Sequence, residues 1–171
     1  MSAMAVTEYP MVQVTVNVNG SPRTIVVEPR TTLADALRGG CGLTGTRVGC
    51  DEGVCGSCTV LVDGEPVRAC MMFAAQAHGA SVRTIESVDD DGMLHPLQKA
   101  FWDHHAVGCG FCTPGLIMLA LGALERDPDL SEEALTEILS ANQCRCNGYL
   151  GLVKAVKAAQ VEMKIKAGAP R

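Results

Sequence analysis

The chain has 171 residues, enough for one ordinary domain or two small ones that each bury a core. A hydrophobic fraction of 47% with 19% charged residues excludes an intrinsically disordered chain. A formal net charge of −5, with no run of lysine or arginine, argues against nucleic acid as a partner.

The opening stretch MSAMAVTEYP lacks the charged and apolar regions of a signal peptide. The longest apolar run, GLIMLALGAL (Gly115–Leu124), falls short of the roughly 20 residues that span a bilayer. The expectation is a cytoplasmic chain with reduced thiols, and the odd count of 9 cysteines agrees with ligands better than with disulfide bridges.

In VQVTVNV (Val12–Val18) valine alternates with Gln13, Thr15 and Asn17, the period of a half-buried strand. Asn19-Gly20 is a hairpin turn, and TIVVE (Thr24–Glu28) is the returning strand. Thr31 or Thr32 caps a short helix with Leu33, Ala36 and Leu37 on one face, ended by Gly39-Gly40. TVLV (Thr59–Val62) turns at Asp63-Gly64 into a strand over Pro66–Cys70, and Ser81–Ile85 is a further strand. Strands with one packed helix make a small α+β domain over residues 10–87.

The acidic stretch SVDDDG (Ser87–Gly92) breaks this pattern, and a second domain over 88–165 reads as helical. Pro96 opens one helix. Thr113-Pro114 serves as cap and first-turn proline for a second helix, hydrophobic all round and therefore buried. Ser131, Glu132 and Glu133 start a third, with Leu135, Ile138 and Leu139 inward. A fourth places Tyr149, Leu152, Val153, Val156 and Met163 on one side.

The cysteines form two sets. Cys50, Cys55 and Cys58 are spaced C-x4-C-x2-C, with Cys70 following, which is the plant-type ferredoxin spacing for four thiolates around a 2Fe-2S cluster. Gly49, Gly53 and Gly56 fit that chemistry, because a backbone without Cβ can approach closely, adopt positive φ and turn N–H groups toward an anionic cluster. The second set is Cys109-x2-Cys112 with Cys144-x-Cys146. Four thiolates converge if the second and third helices run antiparallel with these ends together. A bare C-x2-C pair also suits zinc, but C-x-C is less usual in structural zinc sites, and with the first set pointing to iron and sulfide the second is read the same way.

Taken in order, VGCDEGVCGSCTVLVDG, GCGFCTPG and CRCNGY resemble the iron–sulfur subunit of the xanthine oxidase family of molybdenum hydroxylases, over nearly the whole chain. The resemblance implies a ferredoxin-like β-grasp domain followed by a four-helix bundle, each with one 2Fe-2S cluster. It implies that Cys50, Cys55, Cys58 and Cys70 hold the cluster nearer FAD, with Asp51–Gly53 and Gly56 on the flavin side. It likewise implies that Cys109, Cys112, Cys144 and Cys146 hold the cluster nearer the molybdenum cofactor, with Gly110 and Cys146 facing the pterin. The molybdopterin-type cofactor and FAD would sit on a large and a medium partner subunit, in a heterotrimer or a dimer of heterotrimers. Two positions depart from the pattern: Gly108 stands where the family usually has Gln, a residue associated with the pterin, and Asn147 where it usually has Thr.

The remaining residues are read plainly. Cys41 matches no ligand position and is a small buried residue. GCGLTG (Gly40–Gly45) follows a helix and opens none, so it fails as a dinucleotide fingerprint. His104 and His105 belong to a helix surface or to packing rather than to a Rieske-type site. Phe101 and Trp102 are core. No acid–base pair or activated nucleophile is visible, so the reading is an electron-relay subunit, with substrate conversion elsewhere. Its rivals are a free-standing ferredoxin-like carrier, a zinc-stapled structural module, and a reductive member of the same family.

Overall fold

In a computed structural model of the protein, residues 10–90, 92–147 and 149–168 are described. Residues 1–9, which bear on targeting, Asp91 of the acidic stretch and Gly148 of CRCNGY lie outside the described residues.

Strand β1 (Val12–Val18) buries Val14, Val16 and Val18 on one face, as the alternation requires. It turns through Asn19 (φ 53°) and Gly20 (φ 77°) into the antiparallel β2 (Ser21–Val27). Two positive φ values in a two-residue loop match the twist of the flanking strands. Thr32 caps α1 (Leu33–Asp35), its hydroxyl accepting from the Asp35 N–H at 3.1 Å. The helical segment ends at Gly39-Gly40 as predicted, but its last turn is not α-helical. It widens into a π-turn over Ala36–Gly40, closed by the Cys41 N–H donating to Ala36 O at 3.1 Å.

Strands β3 (Thr59–Val62), β4 (Glu65–Arg68) and β5 (Ser81–Arg83) complete a five-stranded sheet of order β2-β1-β5-β3-β4. Only the β1–β5 pairing is parallel. The strand expected over Pro66–Cys70 is shorter, because its register with β3 ends at Thr59↔Arg68 and the chain then curls into a 3-10 turn over Ala69–Met71. Cys70 thus sits on a turn, not on the strand. The strand expected to reach Ile85 ends at Arg83, since the Thr84 N–H is taken by the Asn19 side chain at 2.8 Å.

The second half is not wholly helical. A two-residue hairpin, β6 (Asp89–Asp90) with β7 (Met93–Leu94), precedes α2 (Pro96–Asp103), α3 (Thr113–Arg126), α4 (Glu132–Ser140) and α5 (Leu150–Gly168). His95 caps α2 through Nδ1, which accepts from the Leu97 N–H at 3.2 Å. Ser131 caps α4 by accepting from the Ala134 N–H at 3.2 Å. Tyr149, expected within the last helix, precedes it at φ 67°. Ile138 is only half-buried, whereas Leu135 and Leu139 are fully inside.

Two apolar cores result. One joins Val14, Val16, Leu33, Leu37, Val60 and Val82 around the sheet. The other joins Leu97, Phe101, Leu116, Leu121, Leu139 and Leu152 between the helices. Leu61 of β3 belongs to the helical core, so α3 packs directly against the sheet. Each such fully buried side chain contributes about 1.5–3 kcal/mol relative to exposure. Of the aromatic pair expected in the core, Phe101 is buried, but Trp102 is 75% exposed: the next residue along α2 lies about 100° around the helix, which takes it out of the core.

Candidate metal centres

The first cysteine loop is shaped by glycine and by side chain–backbone bonds. Gly53 (φ 75°) and Gly56 (φ 71°) occupy the left-handed region, as does Asp51 (φ 58°). Gly49 does not, contrary to expectation; its need is close approach. A Cβ there would stand 3.1 Å from Cys55 Sγ and 3.1 Å from Cε1 of Phe111. The N–H groups of Val54 and Cys55 donate to Cys50 Sγ at 3.3 Å each.

The second set is assembled at helix ends. Cys112, rather than Thr113, is the N-cap residue of α3, and its carbonyl accepts from the Leu116 N–H at 3.0 Å. Cys144 follows α4 and pairs with Cys112, so the start of α3 and the end of α4 lie together, as the antiparallel expectation required. The Tyr149 hydroxyl fixes this segment: it accepts from the Cys144 N–H at 3.1 Å and donates to Asn142 O at 2.9 Å. Asn147 ties the segment to the preceding loop by donating to His105 O at 3.1 Å. Gly108 allows the two loops to meet, since a Cβ there would lie 2.5 Å from Cys146 Cβ. His104 and His105 are exposed, but they lie in the turn just after α2, His104 as its C-cap, and not on the helix surface expected of them.

None of the nine cysteines is in a disulfide. Eight of them interact in pairs through their side chains: Cys50 with Cys55, Cys58 with Cys70, Cys109 with Cys146, and Cys112 with Cys144. Cys41 stands apart, half-buried beneath β2 near Arg23, and burial pushes its thiol up. Within each set one thiol is made acidic and another is held protonated. Backbone N–H groups, first that of Cys55 and then that of Glu52, bring Cys50 down to about 7. Burial, followed by the neighbouring Cys58 thiol, raises Cys70 to about 11. The Phe111 backbone N–H and then Cys146 lower Cys109, whereas burial and then Cys144 push Cys112 up to about 12.

Among the described residues no three or more His, Cys, Asp or Glu side chains gather as they would around one metal ion. Thiolates in two pairs could instead hold a two-iron group, with two sulfurs for each iron. The donor set and the glycine-lined loop therefore fit 2Fe-2S clusters.

The two sets are joined by residues that are not cluster-ligand candidates. Gln143 N–H donates to Cys55 O at 2.9 Å, and Asn142 Nδ2 donates to Gly56 O at 3.0 Å. Arg68 donates from Nε to Gly53 O and from Nη2 to Ala141 O, both at 2.6 Å. Gly115 of α3 comes so near that a Cβ would lie 2.5 Å from Gly56 O. Arg68, Asn142 and Gln143 were not singled out by the sequence, and Gly115 appeared there only as the last residue of GCGFCTPG and the first of the apolar run. Their sole signal was proximity to a cysteine.

Comparison with known proteins agrees with this geometry. Residues 16–84 match a 2Fe-2S iron-sulfur cluster binding domain, and residues 84–157 match a second [2Fe-2S] binding domain. The chain is 50% identical over 157 residues to the nicotine 6-hydroxylase small subunit of Paenarthrobacter nicotinovorans, covering 92% of this chain and 94% of that one. It is 47% identical over 148 residues to the caffeine dehydrogenase subunit gamma of Pseudomonas sp. (strain CBB1), covering 85% of this chain and 89% of that one. Among solved structures it superposes on quinoline 2-oxidoreductase from Pseudomonas putida 86 with a TM-score of 0.87 at 44% identity, over 92% of this chain and 98% of that one. Two 2Fe-2S domains in one chain, with relatives of this kind, place it: the protein belongs to the small iron–sulfur subunits of the xanthine oxidase family of molybdenum hydroxylases, electron-transfer subunits of oxidoreductase complexes whose substrate-converting site is on another chain.

Proposed function

We propose that Cys50, Cys55, Cys58 and Cys70 hold one 2Fe-2S cluster in a β-grasp domain over residues 10–87, and that Cys109, Cys112, Cys144 and Cys146 hold the other in a four-helix bundle over 88–165. The observation that carries this reading is the sorting of eight thiols into two four-membered sets, each made of two pairs, at one junction. A 2Fe-2S cluster, when bound, takes up and returns a single electron. Gly53 and Gly56 leave room for a bulky inorganic core, and Gly110 (φ 80°) has the same freedom in the second loop. The buried thiols Cys58 and Cys70 stand on the sheet side of the first set. Cys109 and Cys146 are exposed, and so face outward to a neighbouring chain.

The route runs from the molybdenum cofactor on a large partner subunit through the helical cluster, then the β-grasp cluster, to FAD on a medium subunit. The assembly is a heterotrimer or a dimer of heterotrimers in the cytoplasm. Among the described residues no helix is long and apolar enough to cross a membrane. The nicotine 6-hydroxylase and caffeine dehydrogenase relatives, each named as a subunit of a larger enzyme, favour this reading over a free-standing carrier. Reductive titration of the purified complex followed by EPR tests it. Two cluster signals are expected, with Cys58→Ser removing one and Cys144→Ser the other; loss of both signals from either substitution would refute the ligand sets.

A further inference from the structure

Phe111 belongs to the second cysteine loop, between Cys109 and Cys112, yet its ring lies on the first. The point where a Cβ on Gly49 would stand is 3.1 Å from ring carbon Cε1 and 3.1 Å from Cys55 Sγ, so ring and sulfur flank the same glycine. The ring borders a groove of about 240 Å³ that runs between the two cysteine sets, lined also by Ser57, Gln143 and Arg145. Phe111 is 44% exposed, so it stands between Gly49 and the outside instead of filling either core. Among the described residues no other large apolar side chain lines that groove.

We propose that Phe111 is a positioning residue contributed by the helical domain to the first cluster: its ring covers Gly49 and Cys55 and keeps water in the groove away from that cluster. The inference rests on the assignment of Cys55 as a ligand of the first cluster. The sign of the effect follows from charge. A four-thiolate 2Fe-2S cluster is more negative when reduced, and solvent stabilises the more highly charged form. An apolar cover therefore disfavours reduction, and its removal raises the potential. The Phe111 backbone N–H lies beside Cys109 of the second set, while its ring reaches Gly49 in the first, and it is through the ring that the side chain acts on the cluster of the other domain.

The test is an EPR-monitored redox titration of the purified holo-complex, wild type against Phe111→Ala, with deuterium-exchange ESEEM on each reduced cluster. The first cluster should become easier to reduce by about tenfold in its equilibrium constant, or ~59 mV for a one-electron couple, and should gain deuterium coupling. The helical cluster should keep its potential, and Phe111→Tyr should restore the first cluster to wild-type behaviour. If Phe111→Ala loses iron, Phe111→Leu should give a smaller shift of the same sign. No shift at the first cluster, or a shift confined to the helical one, overturns the proposal. A wild-type complex without two signals instead refutes the ligand assignment, and this inference with it, a result distinguishable from two normal signals with an inert Phe111.

Discussion

The backbone N–H of Gln143 donates to the carbonyl oxygen of Cys55 at 2.9 Å. One residue is the immediate neighbour of Cys144 and the other is itself in the first cysteine set, so this hydrogen bond is one of those that join the two sets. The bond uses only main chain, and the Gln143 side chain is exposed. Gln143→Ala should therefore leave the melting temperature within the range of ordinary surface changes. Gln143→Pro removes the donor and should cost about 1–3 kcal/mol by orphaning the Cys55 carbonyl. Thermal unfolding of the two variants separates these outcomes.

Gly115 and Gly122 lie seven residues apart on α3 and both face the sheet domain. An added Cβ at Gly115 meets backbone, 2.5 Å from Gly56 O and 2.8 Å from Ser57 O. At Gly122 it meets side chains, 2.7 Å from Leu61 Cδ2 and 2.7 Å from Cγ of the Pro66 ring. A leucine methyl can shift and a proline ring can pucker, whereas the carbonyls of a cysteine-bearing loop give least. Gly115→Ala should cost about 3 kcal/mol and Gly122→Ala about 1 kcal/mol, with iron content falling for the first alone. Chemical denaturation and iron assay provide the check.

Arg68 holds Gly53 O and Ala141 O with different nitrogens of one guanidinium. A lysine carries the same charge but has no fork to reach both carbonyls. Arg68→Lys should thus lose one of the two bonds, at about 1.5–3 kcal/mol for a charged donor, and Arg68→Met should lose both. If the lysine variant unfolds at the wild-type denaturant concentration, Arg68 serves through charge and not through geometry.

Thiol acidity gives a pH prediction for the cluster-free chain. A lowered pKa populates thiolate at lower pH, so Cys50, near 7, should be alkylated by iodoacetamide increasingly between about pH 6 and 8. Cys109, shifted in the same direction, should react early as well. Cys70 and Cys112, held up by burial at about 11 and about 12, should remain protonated and be modified last. Peptide mass spectrometry after timed quenching reads the order directly, and early labelling of Cys112 would contradict it.

Much of this arrangement was legible in the chain itself, and the exceptions have physical causes. Val12–Val18 declares its strand because one face is core and the other is not, and Asn19-Gly20 declares its turn because both residues tolerate positive φ. The helix starts at Ser131 and Pro96 carried local capping signals. By contrast, β6 and β7 are two residues each, too short to show a period. Trp102 and Phe101 are adjacent on one helix, and an apolar label alone does not say which of the two points inward. The cysteine spacings identified the metal chemistry, but Asn142, Arg68 and Gly115 act across more than 40 residues of sequence through main-chain contacts, and no spacing encodes those. Asn142 is the clearest case: it is buried against Gly56, where a Cβ would fall 1.7 Å from its Oδ1. Gly56 is thus required by a partner 86 residues away as much as by its own φ of 71°.

The central claim is that one 171-residue chain carries two clusters. Iron and acid-labile sulfide per chain, measured together with the EPR spectrum of the reduced protein, test it most directly. The account predicts about four irons and four sulfides with two distinguishable signals. About two irons with a single signal, or zinc without sulfide in place of the helical cluster, would contradict it.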